Sequence, residues 1–392
     1  MTVPPPAPAE SLARALWRLA LLSLGGAVAL GFARFAYALI LPAMRADLGW
    51  SFTLAGAMNA ANAVGYLLGA LAATRAADRL GLRGVFVLGM GLTALALLAC
   101  ALTGRAPALL ALRLLAGLGG ALVFVTGGAL ASLAARAHPA RSALLLGVFY
   151  GGAGVGILAS ALLLPPLLAH GWRGAWAALG GASLLALGAT LPALARLPDR
   201  VAGAAGTGRA SLALLGWALA AYACFGVGYI AYMTFVVAFL RSAGEGGLVT
   251  VFWAVLGGAV ILSPPVWQRP ATVLPGARAM SAQMLTLAVG AALPLLSTHP
   301  AALLLSGLLF GGSFLAVVTF TTLLARRALP ERAWGRGIAA FTVIFAAGQT
   351  LGPLLTGALS DGAGGLRAGL GVSALVLLLG AGLAWGQRTR TG

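Results

Sequence analysis

Apolar residues gather in twelve stretches: 17–41, 52–73, 85–103, 107–133, 143–168, 174–195, 211–239, 248–267, 280–297, 301–324, 338–359 and 370–386. As a helix rising ~1.5 Å per residue, each is long enough to cross ~30 Å of hydrocarbon. The pattern predicts an all-α membrane protein with twelve transmembrane helices. Arginine alternates between the polar pieces that separate them. Counted from the N-terminal tail, the odd pieces hold 18 arginines and the even pieces five: Arg45, Arg105, Arg173, Arg241 and Arg367. The positive-inside bias then puts both termini in the cytoplasm. The remaining two of the 25, Arg34 and Arg113, lie inside apolar stretches.

A hydrophobic fraction of 61% with 8% charged residues excludes a soluble globular domain of this length. The net charge of +18 is spread over seven short cytoplasmic pieces and forms no basic face with interleaved aromatics, so no nucleic-acid partner is expected. Residues 1–16 are Pro/Ala-rich and no small-residue cleavage site follows the first stretch, which reads as a retained anchor. Cys100 and Cys224 lie inside spans and suggest no disulfide framework. The chain has no lysine, which excludes a Walker-A phosphate loop and a retinal or pyridoxal Schiff base. His138, His170 and His299 fall in loops without metal-ligand spacing, and neither His-Glu-x-x-His nor Gly-x-Ser-x-Gly occurs. The expectation is therefore no cofactor and no enzyme. A transporter would saturate and show counterflow, whereas an enzyme would change its substrate covalently.

The chain repeats itself at half its length. Gly31-Phe32-Ala33-Arg34-Phe35-Ala36-Tyr37 faces Gly226-Val227-Gly228-Tyr229-Ile230-Ala231-Tyr232. Leu114-Leu115-Ala116-Gly117 recurs as Leu308-Leu309-Phe310-Gly311, and Gly171-Trp172-Arg173 as Gly365-Leu366-Arg367. The shared offset points to two pseudo-symmetric six-helix bundles, 17–195 and 211–386. They are joined by a cytoplasmic linker, 196–210, and flanked by tails 1–16 and 387–392. Parallel six-helix halves with a site between them at mid-membrane describe a large class of secondary transporters.

The loop Thr74-Arg75-Ala76-Ala77-Asp78-Arg79-Leu80-Gly81-Leu82-Arg83 resembles a motif of the major facilitator superfamily: Gly, then Asp-Arg-x-Gly-Arg/Lys-Arg/Lys. Asp78, Arg79, Gly81 and Arg83 match, while Thr74 and Leu82 depart from it. The span-four run Arg113-Leu114-Leu115-Ala116-Gly117-Leu118-Gly119 is similar to a second motif of that superfamily, Arg-x-x-x-Gly-x-Gly. Gly31–Tyr37 running into Leu41-Pro42, with Tyr150-Gly151-Gly152-Ala153-Gly154-Val155-Gly156, resembles the YbfB/YjiJ-type branch. The resemblance implies the major facilitator fold in a bacterial inner membrane, with halves that rock by alternating access about a central cavity. It implies a gating role for Asp78, Arg79, Gly81 and Arg83 as a latch on the cytoplasmic side. It also implies a cavity lined by spans one, two, four, five, seven, eight, ten and eleven.

Arg34 lies ~10 Å below the outer surface, where a cation costs at least ~2.5 kcal/mol. No acidic residue falls inside a span to offset that cost: Glu10, Asp47, Asp78, Asp199, Glu245, Glu331 and Asp361 all fall in tails or loops. Either Arg34 faces a water-filled cavity and meets an anionic ligand, or it caps backbone carbonyls at a broken helix. Arg113 has the same two readings, ligand or gate against helix-to-helix glue. Tyr37 shares a helix face with Arg34, and Tyr229 and Tyr232 repeat that spacing. Asn59, Asn62 and Tyr66 form a polar face on span two; Tyr150 and Gln349 sit within spans five and eleven. These ten residues are the candidate substrate site, against the alternative of polar cross-helix bonding. The expectation is a monomeric carrier of a small organic anion or carboxylate, with the lipid bilayer as its other partner. The alternative is an exporter of uncharged or amphipathic compounds in which Arg34 and Arg113 are structural.

Overall fold

The computed structural model describes residues 11–197, 199, 212–330 and 333–387. Among them, 11 helices are long and apolar enough to cross a membrane. These are α1 (Leu12–Leu48), α2 (Phe52–Cys100), α3 (Ala106–Ala135), α4 (Ser142–Leu168), α5 (Trp172–Leu194) and α6 (Gly216–Ser242). They continue as α7 (Val249–Val273), α8 (Arg278–Leu296), α9 (Pro300–Ala328), α10 (Trp334–Ser360) and α11 (Gly365–Gly386).

Helix α2 has 49 residues and leaves helical geometry at Gly81, with φ 76° and ψ 162°. It stays helical through residues 74–80, where the hydropathy pattern predicts a loop. The physical reason is that a polar piece need not unwind at the membrane surface. The alanines and arginines there are good helix formers, and exposed arginine heads reach water while their stems lie along apolar surface. Only Gly81 stops the helix. Its positive φ suits glycine, and a Cβ there would collide with the Asp199 carboxylate. Asp199 in turn accepts the Leu82 N–H on its carbonyl at 3.0 Å and the Arg83 N–H on Oδ1 at 2.9 Å.

Two helices form the centre. The most apolar window of α1 is 94% buried and that of α6 83%, while no other helix exceeds 56%. These are the two helices that carry the repeated Gly-x-x-x-x-Ala-Tyr sequence. The repeated glycine serves one purpose in both: a Cβ at Gly31 would run into Gly156 of α4, and one at Gly226 would lie 3.2 Å from Gly348 of α10. Backbones can approach this closely only where side chains are missing.

Helix α1 is wound in three ways: α-helix over Leu12–Gly26, π-helix over Ala27–Phe35 and α-helix again over Tyr37–Leu48. The Ala36 N–H donates to the Gly31 carbonyl at 2.8 Å, five residues back. A π-helical insertion of this kind shifts the ladder and frees carbonyls from it. Arg34 lies at the end of this stretch.

Candidate functional site

The freed carbonyl of Ala33 is taken by Arg113 of α3, whose Nη1 donates to it. Arg113 Nη2 donates to Asn59 Oδ1 at 3.4 Å, leaving only Nε unpaired. The guanidinium also lies over the rings of Tyr37 (4.9 Å) and Trp176 (5.3 Å), which stack on each other at 6.3 Å. Tyr37 donates to the Ala55 carbonyl at 2.9 Å, and Asn62 to the Arg113 carbonyl at 3.2 Å. Asn59 donates to Thr234 of α6 at 2.6 Å, which ties the cluster to the second half of the chain. Arg113, Tyr37, Asn59 and Asn62 thus form one buried knot in which nearly every donor has a protein acceptor.

Arg34 is different. It is 2% exposed, and among the described residues its Nε and Nη2 have no hydrogen-bond partner. Its guanidinium carbon lies 5.3 Å from the centroid of the half-buried Tyr66 ring. Tyr229 stacks on Phe314, which meets Phe35, the neighbour of Arg34. Tyr229 donates to Gln349 Oε1 at 2.7 Å. The structure therefore brings Arg34 and Tyr66 of the first half close to Tyr229 and Gln349 of the second, while Tyr150 packs against Phe124 at 5.6 Å and Phe149 at 5.1 Å. Tyr232 stands apart from both groups; its hydroxyl is 2.5 Å from Ser306 Oγ and its ring stacks on Phe310 at 4.1 Å.

Beside Arg34 the second half presents a set of nearly parallel rings that sequence reading passes over. Phe225 stacks on Tyr229 at 4.7 Å and on Phe345 at 5.5 Å; Tyr229 stacks on Phe314 at 5.9 Å. The angles between these planes are 14°, 7° and 11°. Phe314 also meets the edge of Phe35, the neighbour of Arg34, at 5.5 Å. The spacing of Tyr222, Phe225 and Tyr229 on one face of α6 was the available signal, since it doubles the face carrying the repeated tyrosines.

The motif residues divide. Gly81 and Arg83 fasten the start of the third stretch to the end of α5: Arg83 Nη1 donates to Ala195 O at 3.2 Å, and Nη2 to Leu197 O. Asp78 and Arg79 are exposed, and no hydrogen bond or ion pair engages them among the described residues. Of the acids, Asp47 accepts from Trp172 Nε1 at 2.7 Å in the last turn of α1, and Asp78 lies just before the break of α2. Asp199, Glu245 and Asp361 lie outside the long helices, while Glu10 and Glu331, with most of the linker, fall outside the described residues.

A family model described as "Uncharacterised MFS-type transporter YbfB" matches residues 26–385. A gallate transporter of Pseudomonas putida is 35% identical over 161 residues, 41% of this chain. The match spans 33% of that protein's length. The fold is similar to those of several solved transporters. A peptide transporter (POT) in complex with alafosfalin aligns with TM-score 0.76 at 14% identity, covering 96% of this chain and 95% of that one. The nucleoside transporter NupG aligns with TM-score 0.69 at 12% identity, covering 95% and 97%. An inward-facing, unoccupied bacterial homologue of the human lysosomal transporter Spinster aligns with TM-score 0.67 at 16% identity, covering 95% and 98%. The family match runs over nearly the whole chain, and these likenesses agree with it in fold. The chain belongs to the YbfB family of MFS-type transporters and is a multi-pass membrane transporter.

Proposed function

We propose that this transporter carries a small organic carboxylate across the bacterial inner membrane, anchoring the anion on Arg34. One observation carries the reading: a guanidinium 2% exposed keeps two nitrogens without a protein acceptor. A planar fork of donors suits a carboxylate, and pairing would relieve the cost of holding the charge in a low-dielectric setting. Tyr66 and the Tyr229–Gln349 pair supply further polar groups near it, and Tyr150 is proposed to join them when substrate is bound. Phe225, Tyr229 and Phe345, stacked on one another, form an aromatic wall near Arg34, and the half-buried Phe345 is the ring of that wall that a planar substrate ring could meet. Gallate, which the Pseudomonas putida relative transports, is such a molecule.

Twelve crossings in two six-helix bundles fit this reading. The 49 residues of α2 would span about 73 Å, more than twice the hydrocarbon thickness, so its two parts count as two crossings. Bundles 17–195 and 211–386 then rock about the central α1 and α6, with both termini cytoplasmic by the arginine distribution. The conformation is closed at the end where α2 begins, which is the outer end under that assignment.

Proton-driven carriers commonly use an acid within the membrane, and no described acid lies in the middle of a crossing. The proposal is therefore uniport or substrate exchange, or proton movement carried on the substrate itself. For a monoanion, an inside-negative potential of 100 mV favours exit by ~2.3 kcal/mol. The reading is tested by thermal stabilisation of purified protein with paired ligands, an aromatic carboxylate and its primary amide, since a binder stabilises by RT ln(1 + [L]/Kd). The carboxylate should raise Tm and the amide should not; equal shifts by both would overturn the anion reading. Export of an uncharged or amphipathic compound, the alternative, would need Arg34 to be satisfied within the protein.

A further inference from the structure

Asp361 follows the last residue of α10, and its carboxylate is used by the other half of the molecule. Oδ1 accepts the Phe52 N–H at 2.7 Å; Oδ2 accepts the Thr53 N–H at 2.9 Å and the Thr53 hydroxyl at 2.7 Å. These two N–H groups open α2, where a helix has donors but no acceptors of its own. Ser51, the residue that caps α2 locally, takes only the next one, Leu54, at 3.1 Å. Arg45, near the end of α1, lies 3.7 Å over the Phe52 ring, and Phe235 of α6 meets that ring edge-on at 6.1 Å. Along the same seam a Cβ at Gly357 of α10 would lie 2.5 Å from the Phe52 carbonyl.

At the other end Asp78 and Arg79 are exposed, and no hydrogen bond or ion pair engages either of them among the described residues. Every one of the three Asp361 bonds crosses between halves, so all of them exist only while this end is shut. Burial works to raise the Asp361 carboxyl. The Thr53 hydroxyl, the two N–H groups and the charge of Arg45 outweigh that and hold it below its ordinary value.

We infer that Asp361 is the residue that locks this end of the transport path, capping the first helical turn of α2 from the opposite half. The inference rests on the rocking-bundle reading and not on the anion at Arg34, so its test needs no substrate. In a Cys100→Ser, Cys224→Ser background, Ala238→Cys reports opening of this end. Ala238 is 7% exposed and lies one turn beyond Thr234 on the same face of α6, the face bonded to Asn59 of α2. Ser132→Cys reports the other end: Ser132 is exposed, one turn from Gly128, where a Cβ would meet the Tyr150 hydroxyl at 3.1 Å.

The probe is a water-soluble maleimide applied to purified protein in detergent, its labelling rate proportional to the population of open states. Losing a helix N-cap together with its favourable charge should speed labelling at Ala238→Cys about 5- to 10-fold in Asp361→Ala. Labelling at Ser132→Cys should not accelerate. Asp361→Asn keeps an acceptor and the side-chain size, so it should fold in any case and give about 2- to 3-fold. An unchanged rate at Ala238→Cys in both variants overturns the inference. So does acceleration at both ends, which would mark general loosening.

Discussion

Arg34 and Arg113 are two buried guanidiniums of the same bundle, and the fold treats them in opposite ways. Arg113 spends its Nη donors on the carbonyl freed by the π-helical winding of α1 and on Asn59, with Tyr37 and Trp176 covering its faces. Arg34 ends the same π-helical stretch, next to Ala33 whose carbonyl Arg113 uses, yet leaves Nε and Nη2 unpaired. Burial, at 2% and 1% exposed, and residue type are shared, so neither explains the difference. What separates them is whether the neighbouring backbone supplies an acceptor. A buried cation whose donors are used holds the fold together; one whose donors are idle costs stability until an anion arrives.

The comparison can be pressed first on the structural side. Arg113→Ala should leave the Ala33 carbonyl and Asn59 Oδ1 unsatisfied in the interior, costing roughly 2–6 kcal/mol at ~1–3 kcal/mol per orphaned group. Lower expression and a fall in Tm of several degrees check this, and an unaltered Tm would mean that the knot around Arg113 is not structural. Arg34→Lys comes next. It keeps the charge and gives up the planar fork, so an aromatic carboxylate should bind about 10-fold more weakly with Tm unchanged, read by calorimetry on the purified protein.

Phe345→Ala removes one face of the ring stack beside Arg34. Stacked aromatic pairs contribute ~0.5–1.5 kcal/mol beyond their area, so affinity for benzoate should fall about 3- to 10-fold. Affinity for a non-aromatic carboxylate of similar size should move less. Equal losses for both would remove the ring from the account while leaving Arg34 in place. The smallest expected effect is that of pH at Asp361. A carboxylate held below its ordinary value of 3.8 stays ionised as pH falls from 8 to 5, and its contribution to closure is lost only as pH drops through the lowered value. The charged group acting on it is Arg45 of α1. The thiolate is the form that reacts, so the rate at Ala238→Cys is divided at each pH by that of a free thiol such as glutathione. This ratio should be flat from pH 8 to 5, and a rise within that window would assign the closure to a different titrating group.

Much of this architecture was legible because the bilayer is a demanding solvent. Hydropathy marks the crossings. The repeated Gly31 and Gly226 pick out α1 and α6, which the structure buries most deeply. Carbonyl capping at a broken helix was open for Arg34 and donation to carbonyls across helices for Arg113, and it is Arg113 that takes the Ala33 carbonyl. No sequence pattern says which carbonyl a π-helical winding will release, because that depends on the hydrogen-bond ladder of the folded helix. Phe225, Phe314 and Phe345 were silent since phenylalanine within an apolar span has no feature to distinguish a lining ring from a packed one. Asp361 read as an ordinary loop acid; its partners lie 308 and 309 positions away along the chain, beyond any local pattern.

The central claim is that Arg34 serves a ligand and not the fold, and one preparation of Arg34→Ala measures both properties. Truncating one partner of a buried charge pair costs ~2–5 kcal/mol, so carboxylate affinity should fall from about 30-fold to several thousand-fold. Melting temperature and membrane insertion should hold or improve, because an intramembrane charge has been removed. A preparation of Arg34→Ala with lowered Tm and expression but wild-type affinity for the carboxylate would contradict the account.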